Sequence, residues 1–356
     1  MINMEKFALE EKIVLLCSQL TLSDEEYGEL KELLAQKPNW GEVFRLAVFN
    51  KTMGLVSKHI LHFNTDVIPG LIRRQLLFMN LGNRERNREM FREIAKVLTF
   101  LNTTGIKYSP LKGAYLIPYI YKDYSVRLSN DIDILIRQSD VEKACSAMKE
   151  AGYIMGKYDD PTKTIIPARR AEDIYWKAQM GNIHPFVKLS ENPFLDFLVI
   201  DFAFDVDPIH KNLKIAEDML DNTVTTQIDG TPTQLICPVD FLIQVCTHLY
   251  KEACARHAAA ETYSDINLTK FCDVRELVLA QWDVNDAAAM KLLAERAKQH
   301  KVENALVYSF ECCKKLYGDS FWDALIGLFD KSEESFEAPV GADDERFWDS
   351  IFRRHG

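Results

Sequence analysis

The sequence has no long hydrophobic run and no paired cysteine motif. It contains no apolar stretch of about 18 residues, the length that a transmembrane helix requires. Its eight cysteines form no Cys-x-x-Cys pair and have no partner histidines at zinc-finger spacing. The N-terminus also lacks a basic stretch before a long apolar core. We therefore expect a cytoplasmic protein with reduced thiols and no contact with a membrane.

Acidic residues outnumber basic residues in the sequence. The chain has 43 Lys and Arg against 53 Asp and Glu, a net charge of −10. This balance argues against a large nucleic-acid-binding surface, which relies on clustered basic residues. The densest basic run consists of Arg73, Arg74, Arg84, Arg86, Arg88 and Arg92. On a helix these arginines interleave with Glu85, Glu89 and Glu93, which predicts a solvent-exposed face of salt bridges, with a positive patch as the alternative.

The periodicity of apolar residues divides the 356-residue chain into three regions. Residues 1–104 and 237–356 have helical spacing, and residues 105–236 mix strand and helix patterns. Ser23 and Glu26 have the spacing of a capping box, and Pro238 suits a first helical turn. The predicted fold class is α/β (α+β), with a small mixed-sheet core flanked by N-terminal and C-terminal helical regions.

The residue pattern of the middle region predicts several short strands separated by helices. Helices are expected from Ala114, shortened or kinked by Pro118, and after Ser139. The predicted strands cover residues 106–109, 131–137, a segment near Tyr153, 175–180, 195–204 and 224–228.

The most informative segment is Asp131-Ile132-Asp133-Ile134. Its alternation predicts a strand whose isoleucines face a core, so that both aspartates project from the same side about 7 Å apart at Cα. Two carboxylates at that separation are suited to ligate a divalent metal, although Asp-x-Asp also occurs in solvated strand ends. Upstream, Lys112-Gly113 lies between a strand and a helix, where glycine lets a phosphate approach the backbone.

These residues resemble the DNA polymerase β-like nucleotidyltransferase superfamily and, more narrowly, a bacterial family of uncharacterised nucleotidyltransferases. The matching residues are Leu111-Lys112-Gly113, Tyr119 or Tyr121, Arg127 and Asp131-Ile132-Asp133. The resemblance covers roughly residues 38 to 318.

The resemblance implies a third carboxylate on a later strand. Asp201 is the candidate, because it precedes Phe202-Ala203-Phe204 in the way the family pattern requires, and Asp205 is the alternative. Ala203 replaces the usual histidine, and Asn130 replaces a small hydroxyl residue. Asp131, Asp133 and Asp201 are thus the predicted catalytic and metal-binding residues.

The resemblance also implies nucleotide-binding roles for four residues, Lys112, Gly113, Arg127 and Lys270. For Arg127, the alternative is an ion pair with Asp131. For Lys270 the alternative is a surface salt bridge, and His248 is predicted to be a core histidine.

The implied activity is transfer of a nucleoside monophosphate from an NTP, expected to be ATP, to an acceptor hydroxyl with release of pyrophosphate. Mg²⁺ or Mn²⁺ is the implied cofactor, and a small molecule or a protein is a more suitable acceptor than a nucleic acid. Two alternatives stay open: a nucleotide-binding regulatory protein without turnover, and a toxin-like enzyme acting on transfer RNA.

Overall fold

The computed structural model describes residues 6–64, 66–207, 212–255, 266–329 and 345–352. The helices, in chain order, are α1 (Leu9–Leu16), α2 (Asp24–Ala35), α3 (Trp40–Phe49), α4 (Met53–Ile60), α5 (Gly70–Leu101), α6 (Gly113–Leu116), α7 (Val141–Glu150), α8 (Arg170–Tyr175), α9 (Lys214–Asp221), α10 (Pro238–Ala255), α11 (Leu268–Gln281), α12 (Ala287–His300), α13 (Glu303–Tyr317), α14 (Trp322–Ile326) and α15 (Glu345–Phe352). Within the described ranges, no helix is both long enough and apolar enough to cross a membrane.

The strands are β1 (Tyr108–Pro110), β2 (Ile132–Ile136), β3 (Ile154–Asp159), β4 (Thr164–Pro167), β5 (Phe186–Asn192), β6 (Leu195–Ala203), β7 (Thr223–Ile228) and β8 (Thr231–Ile236). A mixed sheet has the order β1-β2-β6-β5-β3-β4, and β7 and β8 form a separate hairpin. Strands β2 and β6 are parallel, and the other neighbours in the sheet are antiparallel. The mixed sheet with flanking helices confirms the predicted fold class.

The chain forms two compact units. The helical unit contains residues 1–83, 125–128 and 245–356, and the sheet unit contains residues 84–124 and 129–244. Helices α5 and α10 contribute residues to both units. The division into three regions made from periodicity stays a prediction.

The predicted capping box starts α2 in the helical unit. The Ser23 hydroxyl accepts a hydrogen bond from the Glu26 amide at 3.2 Å, and the Glu26 carboxylate accepts one from the Ser23 amide at 2.7 Å. Two amides that have no partner within the helix are satisfied in this way. The capping prediction is confirmed.

The strand predicted at 175–180 is wrong. This segment is the end of α8 followed by a π-helical turn, Trp176–Met180. The Arg169 amide donates to Glu172 Oε2 at 2.7 Å, which caps the start of α8, and Gly181 has φ of 66° at the end of the turn. These signals at the two ends of the segment favour a helix. Strands β4, β5 and β8 were not predicted.

Candidate metal centre

Two of the predicted metal ligands are paired residues on adjacent strands. In the parallel pairing of β2 and β6, Asp133 is the register partner of Asp201. The neighbouring pair, Ile132 and Ile200, is fully buried and fixes the strands against the core. Asp131 immediately precedes β2. Burial of apolar side chains on both sides of the pair therefore determines where the carboxylates lie.

The three carboxylates form one cluster. Each of Asp131, Asp133 and Asp201 offers an oxygen atom, and these atoms lie within 4.8 Å of one another. Asp133 is only 6% exposed, and its Oδ2 has no hydrogen-bond partner among the described residues. Because an unpaired buried carboxylate oxygen is costly, this atom is suited to bind a cation. The cluster fits a divalent metal ion, which prefers oxygen ligands.

Lys112 compensates part of this negative charge. Its Nζ donates a hydrogen bond to Asp133 Oδ1 at 2.7 Å. Burial lowers the pKa of Lys112, but the charges of Asp133, Asp131 and Asp201 and the hydrogen bond to Asp133 act against it, and the pKa is raised overall. The lysine is therefore protonated and places a positive charge beside the cluster.

The backbone at Lys112 is strained. Lys112 has φ of 43° and ψ of −121°, close to the first central position of a type II′ turn, which glycine usually occupies. The Ala114 amide closes this turn by donating to the Leu111 carbonyl at 3.2 Å, and the Leu111 amide donates to the Asp133 carbonyl at 2.9 Å. Such a conformation costs about 1–3 kcal/mol in a residue other than glycine and is often found at functional sites.

The turn leads into a short helix that is buried throughout. Gly113 is the first residue of α6, which continues as a π-helical turn, Ile117–Tyr121, with Pro118 at its second position. The shortened helix predicted from Pro118 is confirmed. The phosphate-binding role of Gly113 stays a prediction.

Arg86 on α5 is a part of this site that the sequence interpretation missed. Its guanidinium donates to the Ser129 carbonyl and, at 3.2 Å, to Asn130 Oδ1, in the loop just before Asp131. Burial lowers the pKa of Arg86, and the negative charge of Asp131 opposes this shift. Arg86 therefore holds the loop that precedes Asp131.

A sequence feature separates Arg86 from Arg88 and Arg92, and Arg84 shares it. Arg88 and Arg92 form the predicted surface salt bridges, each at 2.8 Å with the glutamate three residues earlier. Arg86 instead has Asn83 and Gly82 three and four residues earlier, so no acid on the preceding turn can pair with it.

Two further residues singled out from the sequence, Arg127 and Lys270, belong to the helical unit. Arg127 belongs to the helical unit and forms a bidentate ion pair with Asp273, with both N to O distances 2.7 Å. Lys270 also belongs to the helical unit, near the start of α11, and is half-buried. The predicted nucleotide contacts of Arg127 and Lys270 stay predictions.

His248 is not the core residue that the sequence predicts. It is half-buried on α10, with its Nε2 4.0 Å from Glu252 Oε1. The helical spacing of apolar residues that suggested a core position holds for Leu242 and Leu249, which are fully buried on the same helix.

Asp205, the alternative third carboxylate, is not a member of the acidic cluster found among the described residues. Its Oδ1 accepts a hydrogen bond from the Asp207 amide at 3.0 Å. Gly181 packs against it so closely that an added Cβ would lie 2.5 Å from the Asp205 Cβ. Asp205 therefore serves the local packing of the segment after β6.

The geometry agrees with a comparison of the sequence with known proteins. No match was found among curated proteins. Residues 36–318 match a protein family described as "Uncharacterised nucleotidyltransferase", which is most of the chain. The chain therefore belongs to this uncharacterised nucleotidyltransferase family.

Proposed function

We propose that this chain is a metal-dependent nucleotidyltransferase that moves a nucleoside monophosphate from an NTP, with ATP as the first candidate, to an acceptor hydroxyl. The observation that carries the proposal is the cluster of Asp131, Asp133 and Asp201 within 4.8 Å, in a chain of this family. The oxygen ligands of this cluster favour binding of Mg²⁺ or Mn²⁺.

The three carboxylates have different tasks in this proposal. When bound, the divalent ions lower the pKa of the attacking hydroxyl and neutralise negative charge on the triphosphate. Asp131 and Asp133 hold the ion that accompanies the triphosphate. Asp201 completes the second ion site and takes up the proton of the acceptor hydroxyl. These tasks need carboxylates on one surface, which the pairing of Asp133 with Asp201 supports.

In the proposed reaction one bond forms at the α-phosphorus and one bond to it breaks. The acceptor oxygen forms a bond to the α-phosphorus, while the bond from the α-phosphorus to the oxygen that bridges it to the β-phosphate breaks. Pyrophosphate leaves with the electron pair of that bond. Lys112 contacts phosphate oxygens of the nucleotide, and Gly113 leaves room for a phosphate beside the backbone.

The acceptor is proposed to be a hydroxyl of a small molecule or a protein. The net charge of −10 supports this choice over a nucleic acid, because an acidic protein repels the negatively charged phosphate backbone.

The proposal is tested with nucleoside triphosphates labelled at the α-phosphate or at the γ-phosphate, in the presence of Mg²⁺ or Mn²⁺ and panels of metabolites and macromolecules. We expect α-label on the acceptor together with released pyrophosphate. Transfer of γ-label would indicate a kinase. Nucleotide binding without any pyrophosphate release would indicate the regulatory alternative, and α-label on transfer RNA the toxin-like alternative.

The variant Asp133→Asn tests the metal site with a side chain of the same size. The amide keeps the size of the side chain but removes a charged ligand, so turnover should fall by a factor of about 10³ or more. The thermal midpoint should stay near that of the wild type. Activity near wild type in a folded Asp133→Asn variant would exclude this metal site.

A further inference from the structure

We infer that Lys112 and the divalent cation compete for Asp133, and that Lys112 exchanges this carboxylate for the triphosphate when metal and nucleotide bind. The inference rests on the proposed function and specifies how one residue of that site acts. Lys112 is then a positioning and phosphate-binding residue whose partner changes during the catalytic cycle.

The competition follows from the position of the ammonium group. Lys112 Nζ lies 2.7 Å from Asp133 Oδ1, on a carboxylate that is one of the three grouped ligands. A cation bound by Asp133 would lie close to this ammonium, and two like charges at such a distance repel each other strongly in a partly buried site. The cation and the ammonium therefore cannot both be held at full strength by Asp133.

Lys112 is the partner that moves. Asp133 lies on a central strand with its side chain 8% exposed, whereas the Lys112 side chain is 26% exposed on a flexible stem. The ammonium can swing away, and the carboxylate is fixed by the register of β2 and β6.

The strained turn limits how far the Lys112 side chain can move. The turn of residues 111–114 is closed by its own hydrogen bond and tied to β2 through the Leu111 amide, so the Cα of Lys112 stays beside the cluster. The side chain consequently starts between the carboxylates and Gly113, the residue proposed to admit the phosphate. Lys112 occupies this position although its backbone conformation is one that glycine favours.

The opposite arrangement would be a permanent clamp, in which Lys112 holds the carboxylates together for the metal. The two arrangements predict effects of opposite sign. Removing a competitor strengthens binding of the metal alone, whereas removing a clamp weakens it.

The experiment measures Mn²⁺ binding without nucleotide, by electron paramagnetic resonance of the free ion, in the wild type and in Lys112→Met. We expect binding about tenfold tighter in Lys112→Met, because one unit of positive charge leaves the cluster. Lys107→Met is the matched control: Lys107 is 57% exposed and pairs with Asp221 in the same unit, so its loss should leave Mn²⁺ binding unchanged.

A second measurement uses a triphosphate with a methylene bridge between the α and β phosphorus atoms, in the presence of saturating Mn²⁺. Here Lys112→Met should bind about tenfold more weakly, because a charged contact to the phosphates is lost. Tighter metal binding combined with weaker nucleotide binding is the signature of the exchange. Lys112→Gly, which also removes the ammonium but suits the backbone conformation, should behave in the same way if Lys112→Met does not fold.

The outcomes separate the inference from the proposed function. Mn²⁺ binding that Asp133→Asn abolishes, but that Lys112→Met and Lys112→Gly weaken or leave unchanged, would overturn the exchange and leave the metal site intact. Mn²⁺ binding that Asp133→Asn does not affect would overturn both.

Discussion

Asp133 and Asp201 are register partners on parallel strands, which brings together two carboxylates that are far apart in the sequence. Neighbouring parallel strands lie about 4.8 Å apart, so each carboxylate is within reach of a metal bound by the other. Asp205 lies four residues further along the chain and is tied to the Asp207 amide instead.

This relationship predicts different effects at Asp201 and Asp205. Asp201→Asn should reduce turnover by a factor of about 10² or more while retaining much of the nucleotide affinity, because Asp131 and Asp133 hold the triphosphate-bound metal. Asp205→Asn should reduce turnover far less, since its amide oxygen can still accept from Asp207. Steady-state kinetics and nucleotide titration of both variants test the assignment. A crystal soaked with nucleotide and Mn²⁺ that shows metal at Asp205 and away from Asp201 would reverse it.

The strain at Lys112 can be measured as stability. Lys112→Gly and Lys112→Ala both remove the ammonium, but only glycine suits φ of 43°. Glycine should be more stable than alanine by about 1 kcal/mol, the strain of about 1–3 kcal/mol less the entropic cost of glycine. Chemical denaturation of both variants gives the difference. At Lys143, an exposed helical residue, the order should reverse, and the same order at both positions would contradict the strain.

Arg86 should act on the metal through Asp131. Arg86→Lys keeps the charge but cannot bond both the Ser129 carbonyl and Asn130 as a guanidinium does. Mn²⁺ affinity should fall about three- to tenfold, the loss of one charged hydrogen bond. Arg88→Lys, at a surface salt bridge, should leave the affinity unchanged. Equal Mn²⁺ affinities in the two variants would show that Arg86 does not position the loop.

The ion pair of Arg127 and Asp273 should contribute to the stability of the helical unit. Both side chains are at most 10% exposed, so Arg127→Met removes a bidentate ion pair from a buried carboxylate and should cost about 3–5 kcal/mol. The double variant Arg127→Met with Asp273→Leu should recover much of this loss, because the buried carboxylate is removed as well. Free energies of unfolding from denaturant titrations decide the matter, and a double variant no more stable than Arg127→Met would contradict it.

His59 should make the helical unit sensitive to acid. Its Nδ1 lies 3.0 Å from the Tyr27 hydroxyl and its Nε2 lies 2.8 Å from the Gln19 carbonyl. Burial is the largest cause that lowers the pKa of His59 to about 4, with a smaller opposing effect from the hydrogen bond to Gln19. The unfolded chain therefore takes up this proton at a higher pH than the folded chain does.

The stability that depends on neutral His59 is complete above pH 6.5 and is lost as the pH falls toward 4. A shift of this size corresponds to about 3 kcal/mol over that interval. The free energy of unfolding of the wild type should fall more steeply between pH 7 and pH 5 than that of His59→Gln. The same slope in His59→Gln and in the wild type would contradict this role of His59.

The sequence by itself determined the local features of the fold. Alternation around Ile132 and Ile134 predicted the strand and the shared side of Asp131 and Asp133, and Ser23 with Glu26 predicted the start of a helix. These features depend on residues a few positions apart, where backbone periodicity and hydrogen-bonding capacity suffice. The strand predicted at 175–180 was wrong because the Glu172 side chain caps a helix there and Gly181 ends the turn that follows it.

Tertiary structure decided the contacts between distant segments. The pairing of Asp133 with Asp201, the ion pair of Asp133 with Lys112 and the bonds from Arg86 to the loop before Asp131 all join separate elements. Strand register depends on which apolar faces pack together, and the partner of a charged side chain depends on which groups burial brings near it. The sequence therefore supplied the carboxylates, and the pairing of β2 with β6 in the sheet brought them together.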